Sequence, residues 1–488
     1  MLLGACLGVV VVRATYLLQP LRSDEGGYLL IARRWRAGGE FLYGDYYVDR
    51  PPLLMLIFRV AALSEWDRTI RLLTIPVVLL GVVAAWWAGR LLAGRPGGAW
   101  AAVTAAALLS SPAVGTDQAD GGVFAAAFVM SACALALAAW EAGPGRRVWF
   151  AFAAGVLAGA APLVKQSFLE GLLFVGVLVV VSAFATRPGR RELALAGGAA
   201  AGGVVPYMTV WVWARSTGLS VQDLWRELVT FRGEVWGTIW AHDSHATLGR
   251  GAGLLLLGLV SGLFAMVVIW LASVSRRRGV AAPVEWGITA VLVYGAIAIV
   301  AGGSYWPHYL IQLVPGAVLA VGLLAPRRSP TGRRMRGSAM LAVGSAAVGA
   351  LAVGAVHLVV PGASSQERTG EWLAASSAPG DRAFVAYGDA AILEAADLDS
   401  PYPHLWSLPM RTRDPDQDRL TETLSGTEAP AWVVGTLPIN SWGIDADRSV
   451  RDVLGRRYRV VAQVCGHEVW LRRDLTRRLA SPPPCWRP

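Results

Sequence analysis

Apolar runs of roughly 17–25 residues recur from the start of this chain to about residue 360, and no other feature limits its fold as tightly. At a rise of about 1.5 Å per residue, each run is long enough to cross a hydrocarbon layer about 30 Å thick. In that medium every backbone N–H and C=O must find its partner within the protein, so each run is expected to be a helix. The runs fall at residues 2–18, 69–93, 98–114, 119–140, 149–164, 168–186, 192–213, 250–274, 283–302, 306–325 and 338–360. The expected architecture is therefore an all-α polytopic membrane domain of about eleven transmembrane helices over residues 1–360. A small extracytoplasmic α/β domain follows at 361–488. Composition agrees: 55% of residues are hydrophobic and 16% are charged, against about a quarter charged in soluble chains.

An odd number of spans puts the two ends of the chain on opposite sides, and the arginines say which is which. One set of alternate loops holds Arg90 and Arg95, Arg146 and Arg147, Arg187, Arg190 and Arg191, Arg276 to Arg278, and Arg327, Arg328, Arg333, Arg334 and Arg336. The short connectors of the other set, near 115–118, 165–167 and 303–305, hold only Lys165. By the positive-inside rule the first set is cytoplasmic. The chain is expected to be a multi-pass plasma-membrane protein with a cytoplasmic N-terminus, while the loop at 21–68 and the tail lie outside. The net charge of +10 is then a matter of topology rather than of nucleic-acid binding. Lys165 is the sole lysine among 44 basic residues, as a GC-rich coding sequence would produce.

Residues 2–18 are read as a transmembrane helix with a slightly truncated start; a basic leader region and a small-residue cleavage site are both missing. Within 21–68, Tyr28, Ile31, Ala32 and Trp35 share one helical face, which predicts a helix lying in the membrane interface. A second such helix is expected from 53 to 63, started by Pro51 and Pro52. This loop is rich in Arg, against the rule for an outer loop; either its length exempts it or its arginines bind something anionic. In the tail, helices at 365–375, 414–424 and 448–457 alternate with strands at 383–387, 432–435, 459–464 and 468–472. Cys6 and Cys133 lie in apolar helices as packing residues. Cys465 and Cys485 are free to pair if the tail faces an oxidising space.

Nearly every unusual polar group falls on the outer side: Asp24 and Glu25, Asp117 and Asp120, Lys165 and Gln166, the group His242, Asp243 and His245, and Tyr305, His308 and Tyr309. Ionisable groups at a membrane edge are costly, which makes them functional candidates. The stretch SDEGGYLLIARRWRAGGEFLYGDYYVDRPPL resembles the first outer loop of polyprenyl-phosphate-sugar-dependent glycosyltransferases of the GT-C superfamily. These include the protein O-mannosyltransferase-like (family 39) and aminoarabinose-transferase-like enzymes. Asp24, Glu25, Tyr28, Gly39, Tyr43, Arg50, Pro51 and Pro52 carry the likeness, with Arg50 where lysine is common. His308, Tyr309, Leu310 and Pro315 are similar to a late span of such enzymes.

The resemblance implies an inverting transfer of a sugar from a polyprenyl-phosphate donor to a hydroxyl of a protein, lipid or cell-envelope glycan. It implies Asp24 as general base, with Glu25 orienting the acceptor or a cationic side chain. Cations in a low-dielectric mouth would hold the donor phosphate: Arg50, Lys165 and His308 with Tyr309, with Arg33 and Arg34 as secondary candidates. Asp117 and Asp120 form a second acidic site, or else a polar turn with a helix cap. No cofactor is assigned; a divalent metal shared by Asp24 and Asp117, or held by His242, Asp243 and His245, is a minor alternative. Two rival classes stay open: a transporter or lipid flippase, which should show interrupted helices and midplane charges in repeated halves, and a scaffold that presents the tail.

Overall fold

The structure is a computed structural model that describes all residues except 36–42, 44–45, 186–188, 243, 276–281, 360–363, 440 and 486–488. Gly39, Arg36, Asp243, Arg187 and Arg276 to Arg278 therefore lie outside the described residues, as does the side chain of His242. Each expected apolar run is helical. The bundle comprises α1 (Leu2–Tyr16), α4 (Thr69–Leu108), α5 (Gly121–Glu141), α6 (Pro144–Ala160), α7 (Glu170–Ala185), α8 (Arg190–Ser216), α11 (Ser244–Val260), α12 (Leu263–Ser275), α13 (Pro283–Gly302), α14 (Val314–Leu324) and α15 (Pro330–Val359). Between α1 and α4 lie α2 (Ser23–Arg34) and α3 (Pro52–Ala61); between α8 and α11 lie α9 (Val221–Trp225) and α10 (Phe231–His242), joined by a π-turn at Arg226–Thr230. Among the described residues, six helices are long and apolar enough to cross a membrane, or seven if the bent pair α11–α12 is one span; α1 and α7 are apolar but shorter.

Two breaks refine the expected spans. The long α4 is two helices that fold back on each other at non-helical backbone at Ala93 and Gly94, where the sequence separates 69–93 from 98–114; a Cβ on Gly89 would run into the Gly97 carbonyl oxygen. The run at 250–274, expected to be one helix, is two helices bent by 73°. The bend turns on Gly262, whose φ is +71° and where a Cβ would lie 2.6 Å from the Ser338 carbonyl oxygen of α15. A side chain there would meet both a disfavoured backbone and a neighbouring helix. Arg191, in the first turn of α8, stacks over Trp140 near the end of α5 at 4.0 Å, so these two helix ends lie together.

The tail follows its expected order. Its helices are α16 (Ser365–Ser376), α17 (Ala391–Ala396), α18 (Ser407–Arg413), α19 (Asp418–Ser425) and α20 (Ser449–Arg457). Its strands are β1 (Ala383–Ala386), β2 (Trp432–Gly435), β3 (Tyr458–Val464) and β4 (His467–Arg472), in sheet order β1-β2-β4-β3. β1 and β2 run parallel, with Ala383 opposite Trp432; β4 is antiparallel to both its neighbours. The β3–β4 turn has positive φ at both Cys465 and Gly466, the twist-matched form of a two-residue hairpin. Cys465 and Cys485 are joined by a disulfide, which ties that turn to the end of the chain.

One sequence expectation needs correcting. The helix α2 was expected to lie at the interface with one apolar face in, yet every residue from Glu25 to Ala32 is buried. The cause is the tail, which covers the face that the bundle leaves open. A single buried cluster accordingly runs from bundle residues such as Phe58 and Leu108 through Leu29 and Ile31 to Ile392, Leu405 and Val434 of the tail.

Candidate active site

The short helix α2 begins at one end of the bundle, and its first turn holds two adjacent carboxylates with different surroundings. Glu25 is locked. Its two oxygens take Nε and Nη2 of Arg71 at 2.8 and 2.5 Å, and both side chains are 2% exposed. The backbone N–H groups of Ala119 and Arg22 donate to the same carboxylate at 2.7 and 3.0 Å. Burial works against its charge, but the Arg71 guanidinium and these donors override that and hold the carboxyl below its ordinary range. Arg71 also donates to the carbonyls of Tyr16, Gln19 and Pro20 at 2.7–2.9 Å, clamping the end of α1. Nearby, Arg13 donates to Thr74 Oγ1 and to the carbonyls of Leu109 and Thr116.

Asp24, one residue earlier, has among the described residues a single loose partner: Arg50 Nη2 at 3.7 Å, with 42% of the Asp24 side chain accessible. Burial pushes its carboxyl above the usual carboxylate range, and Arg50 only partly offsets this. Arg50 is placed by Asp49 at 2.6 Å and by the face of Tyr28, 5.4 Å from its guanidinium. Asp49 also binds Arg232 of α10 at 2.6 Å. The Tyr43 hydroxyl donates to the Arg50 carbonyl at 2.5 Å.

The other expected cations meet at the TDQAD turn. Lys165 pairs with Asp120 at 2.8 Å, its ammonium lies 5.9 Å from the Tyr309 ring, and His308 Nε2 is 3.9 Å from the same aspartate. Burial lowers the Lys165 ammonium from its ordinary range, and Asp120 opposes that. His308 and Tyr309 lie on a 3-10 segment, Pro307–Leu313, that leads into α14. Gly115 lets the turn approach it: its φ is +71°, and a Cβ there would lie 2.5 Å from the His308 nitrogen. Gln118 Nε2 lies 3.4 Å from His308 Nδ1. Gln166, next to Lys165, donates to the carbonyl of Asp49, next to Arg50, at 2.7 Å, which sets the Asp24–Arg50 pair beside the Lys165–Asp120 pair.

The expected site residues thus divide. Asp24, Arg50, Asp120, Lys165, His308 and Tyr309 come together. Glu25 stands apart from them, paired with Arg71; contact with an acceptor, one of the two roles expected of it, does not fit its saturated carboxylate. Asp117 pairs with Arg22 at 2.5 Å, while Asp120 caps α5 through the Gly122 N–H at 2.7 Å. Among the described residues no three His, Cys, Asp or Glu side chains group as a metal site would need. Arg33 and Arg34 are taken up by the tail, pairing with Glu394 and with Asp397 and Asp399 at 2.6–3.0 Å. Their anionic partner is the tail itself, which accounts for an Arg-rich outer loop.

Asp49 and Arg232 were not among the residues singled out from the sequence; Gln166, singled out beside Lys165, donates its amide to the Asp49 carbonyl at 2.7 Å. Asp49 had a signal, since it adjoins Arg50; Arg232, in a helix with no other motif, had none.

No protein-family model matches the sequence, and a search of curated proteins finds no match either. Solved structures do match. ArnT from Cupriavidus metallidurans, bound to undecaprenyl phosphate, superposes with a TM-score of 0.61 at 18% identity, over 95% of this chain and 96% of that one. The Archaeoglobus fulgidus oligosaccharyltransferase, in complex with zinc and sulfate, gives a TM-score of 0.52 at 13% identity over 94% and 71%. The archaeal oligosaccharyltransferase AglB from Archaeoglobus fulgidus, in complex with an inhibitory peptide and a dolichol-phosphate, gives 0.51 at 12% over 89% and 69%. This chain has the GT-C fold.

Within the GT-C fold the likeness to ArnT spans bundle and tail alike, since nearly the whole of both chains is covered. At these identities it is a likeness of fold. What the GT-C scaffold does here must be argued from the groups at the mouth of its bundle.

Proposed function

We propose that this protein is an integral-membrane glycosyltransferase that moves a sugar, with inversion, from a polyprenyl-phosphate donor to a hydroxyl acceptor on the extracytoplasmic face. The observation that carries the reading is convergence. The Asp24–Arg50 pair and the cations Lys165 and His308 around Asp120 adjoin through the Gln166–Asp49 contact, although up to hundreds of residues separate them in the chain. Solved structures of the same fold were captured with undecaprenyl phosphate or dolichol-phosphate, which supports a lipid-phosphate donor.

In this reading Asp24 takes the proton of the acceptor hydroxyl as its oxygen attacks the anomeric carbon. The bond from that carbon to the phosphate oxygen breaks, and its electron pair leaves with the polyprenyl phosphate. Lys165, Arg50 and the His308 N–H stabilise the charge gathering there, in a mouth where water is scarce and such contacts count for more. Burial of Asp24 makes it a stronger base than an exposed carboxylate. The disulfide supports an oxidising space for the tail, and the arginine asymmetry supports the same outer orientation. The tail, folded onto α2, would cover the site and shape access for a protein, lipid or glycan acceptor.

The test is reconstitution of the full chain in liposomes, with native mass spectrometry of undecaprenyl phosphate binding and profiling of glycolipids and glycans in a deletion strain. Lys165→Met should weaken lipid-phosphate binding about tenfold or more, and the deletion should remove a glycosylated product. Binding unchanged by Lys165→Met, or solute flux with no covalent product, would reject the reading.

A further inference from the structure

The tail grips α2 along its whole length. At the start of the helix, Ser23 Oγ accepts the backbone N–H of Asp389 at 3.1 Å. One turn on, a methyl on Gly26 would lie 2.5 Å from the Ala391 Cα, and one on Gly27 would lie 2.5 Å from the Trp406 ring. At the far end Arg33 and Arg34 are held by Glu394, Asp397 and Asp399. The two glycines are therefore surfaces cut to fit the tail, and helix α2 is fixed as much by the tail as by the bundle.

One contact leads onward to the reacting end. The Trp406 ring lies 5.1 Å from that of Tyr28, and Phe58 meets Tyr28 edge-on at 5.4 Å. The Arg50 guanidinium lies 5.4 Å from the same Tyr28 ring and 3.7 Å from Asp24. Trp406 takes this place with its indole N–H buried and without a hydrogen-bond partner among the described residues. Ring contact, not a polar anchor, decides where it sits.

We infer that Trp406 is a positioning residue for Asp24: it backs Tyr28, whose face steadies the Arg50 guanidinium beside the carboxylate. The tail then belongs to the working site rather than serving as a separate acceptor module. The inference rests on the reading of Asp24 as the base. Its physical content is a coupling between Trp406 and the protonation of Asp24, because Arg50 is the nearest group that favours the ionised form.

The experiment labels Asp24 with a water-soluble carbodiimide and an amine in the full-length protein in detergent, quantified by mass spectrometry across pH. Arg50→Gln should raise the labelling midpoint the most. Trp406→Ala should raise it by about one pH unit, and Trp406→Phe, which keeps a ring against Tyr28, should leave it within a few tenths. In the Arg50→Gln background Trp406→Ala should add nothing, since both act through one group. Loss of packing alone would lower yield or melting temperature without moving the midpoint. A wild-type midpoint in a folded Trp406→Ala protein overturns the inference, and so does a shift that adds fully to that of Arg50→Gln. If Trp406→Ala fails to fold, Gly27→Ala, which displaces the indole without deleting it, must raise the midpoint or the inference falls. Labelling needs no sugar donor, so a protein that shows the coupling but transfers nothing would sink the glycosyl-transfer reading and leave the coupling standing.

Discussion

Two regions of the first outer loop differ by one residue and by everything around them. Glu25 points into the junction of α1, α4 and the TDQAD turn, where one guanidinium and two backbone N–H groups saturate it. Asp24 points toward a mouth where its one cation stands 3.7 Å away. Successive residues on a helix face about 100° apart, so one turn sends two like groups into unlike surroundings. In the proposed mechanism the saturated carboxylate holds the framework and the loosely paired one reacts.

The contrast can be broken from either side. Asp24→Asn should cut transfer by about 10²–10⁴-fold, measured in liposomes with a polyprenyl-phosphate sugar, while unfolding changes by less than about 1 kcal/mol. Glu25→Gln should do the reverse: it strands a buried Arg71 and destabilises the protein by about 3–5 kcal/mol, read as a lower melting temperature or lost yield. Similar effects of both changes on stability would erase the distinction.

Smaller effects sharpen it. The Asp24 carboxyl is raised, so activity that needs its ionised form falls as pH drops through a value above the usual carboxylate range. Arg50→Gln removes an opposing cation and should move that acidic limb up by about 1–3 pH units, seen in the pH profile of kcat/KM. At the latch with the tail, burial pushes Glu394 up to about 7 although Arg33 pulls the other way. A carboxyl raised on folding favours the folded state fully below its unfolded value, and that gain is lost as pH climbs to about 7. Glu394→Gln should flatten this slope, which amounts to up to about 1.4 kcal/mol per pH unit, in melting temperatures taken between pH 4.5 and 7.

Much of the bundle could be read from one dimension because lipid punishes an unsatisfied backbone so heavily that a long apolar run has one outcome. The tail strands were legible from apolar runs and turn residues, and the catalytic candidates from charge placed where charge is expensive. The break at Gly262 was not legible, since it depends on a carbonyl of α15 more than seventy residues away. The partner of Arg33 and Arg34 was equally hidden, for Glu394, Asp397 and Asp399 are ordinary acidic residues until the tail folds onto α2.

By itself, then, the order of residues determined which segments are helices, how their ends sort by charge, and which carboxylates and cations were worth following. Only the tertiary structure decided that Asp24 stays loosely paired while Glu25 is locked, that Asp120 rather than Asp117 joins Lys165 and His308, and that the tail presses on the helix bearing them. The reason is range. Hydropathy and local charge act over a few residues, whereas the partner that sets the state of a buried ion is chosen by packing between segments far apart in the chain.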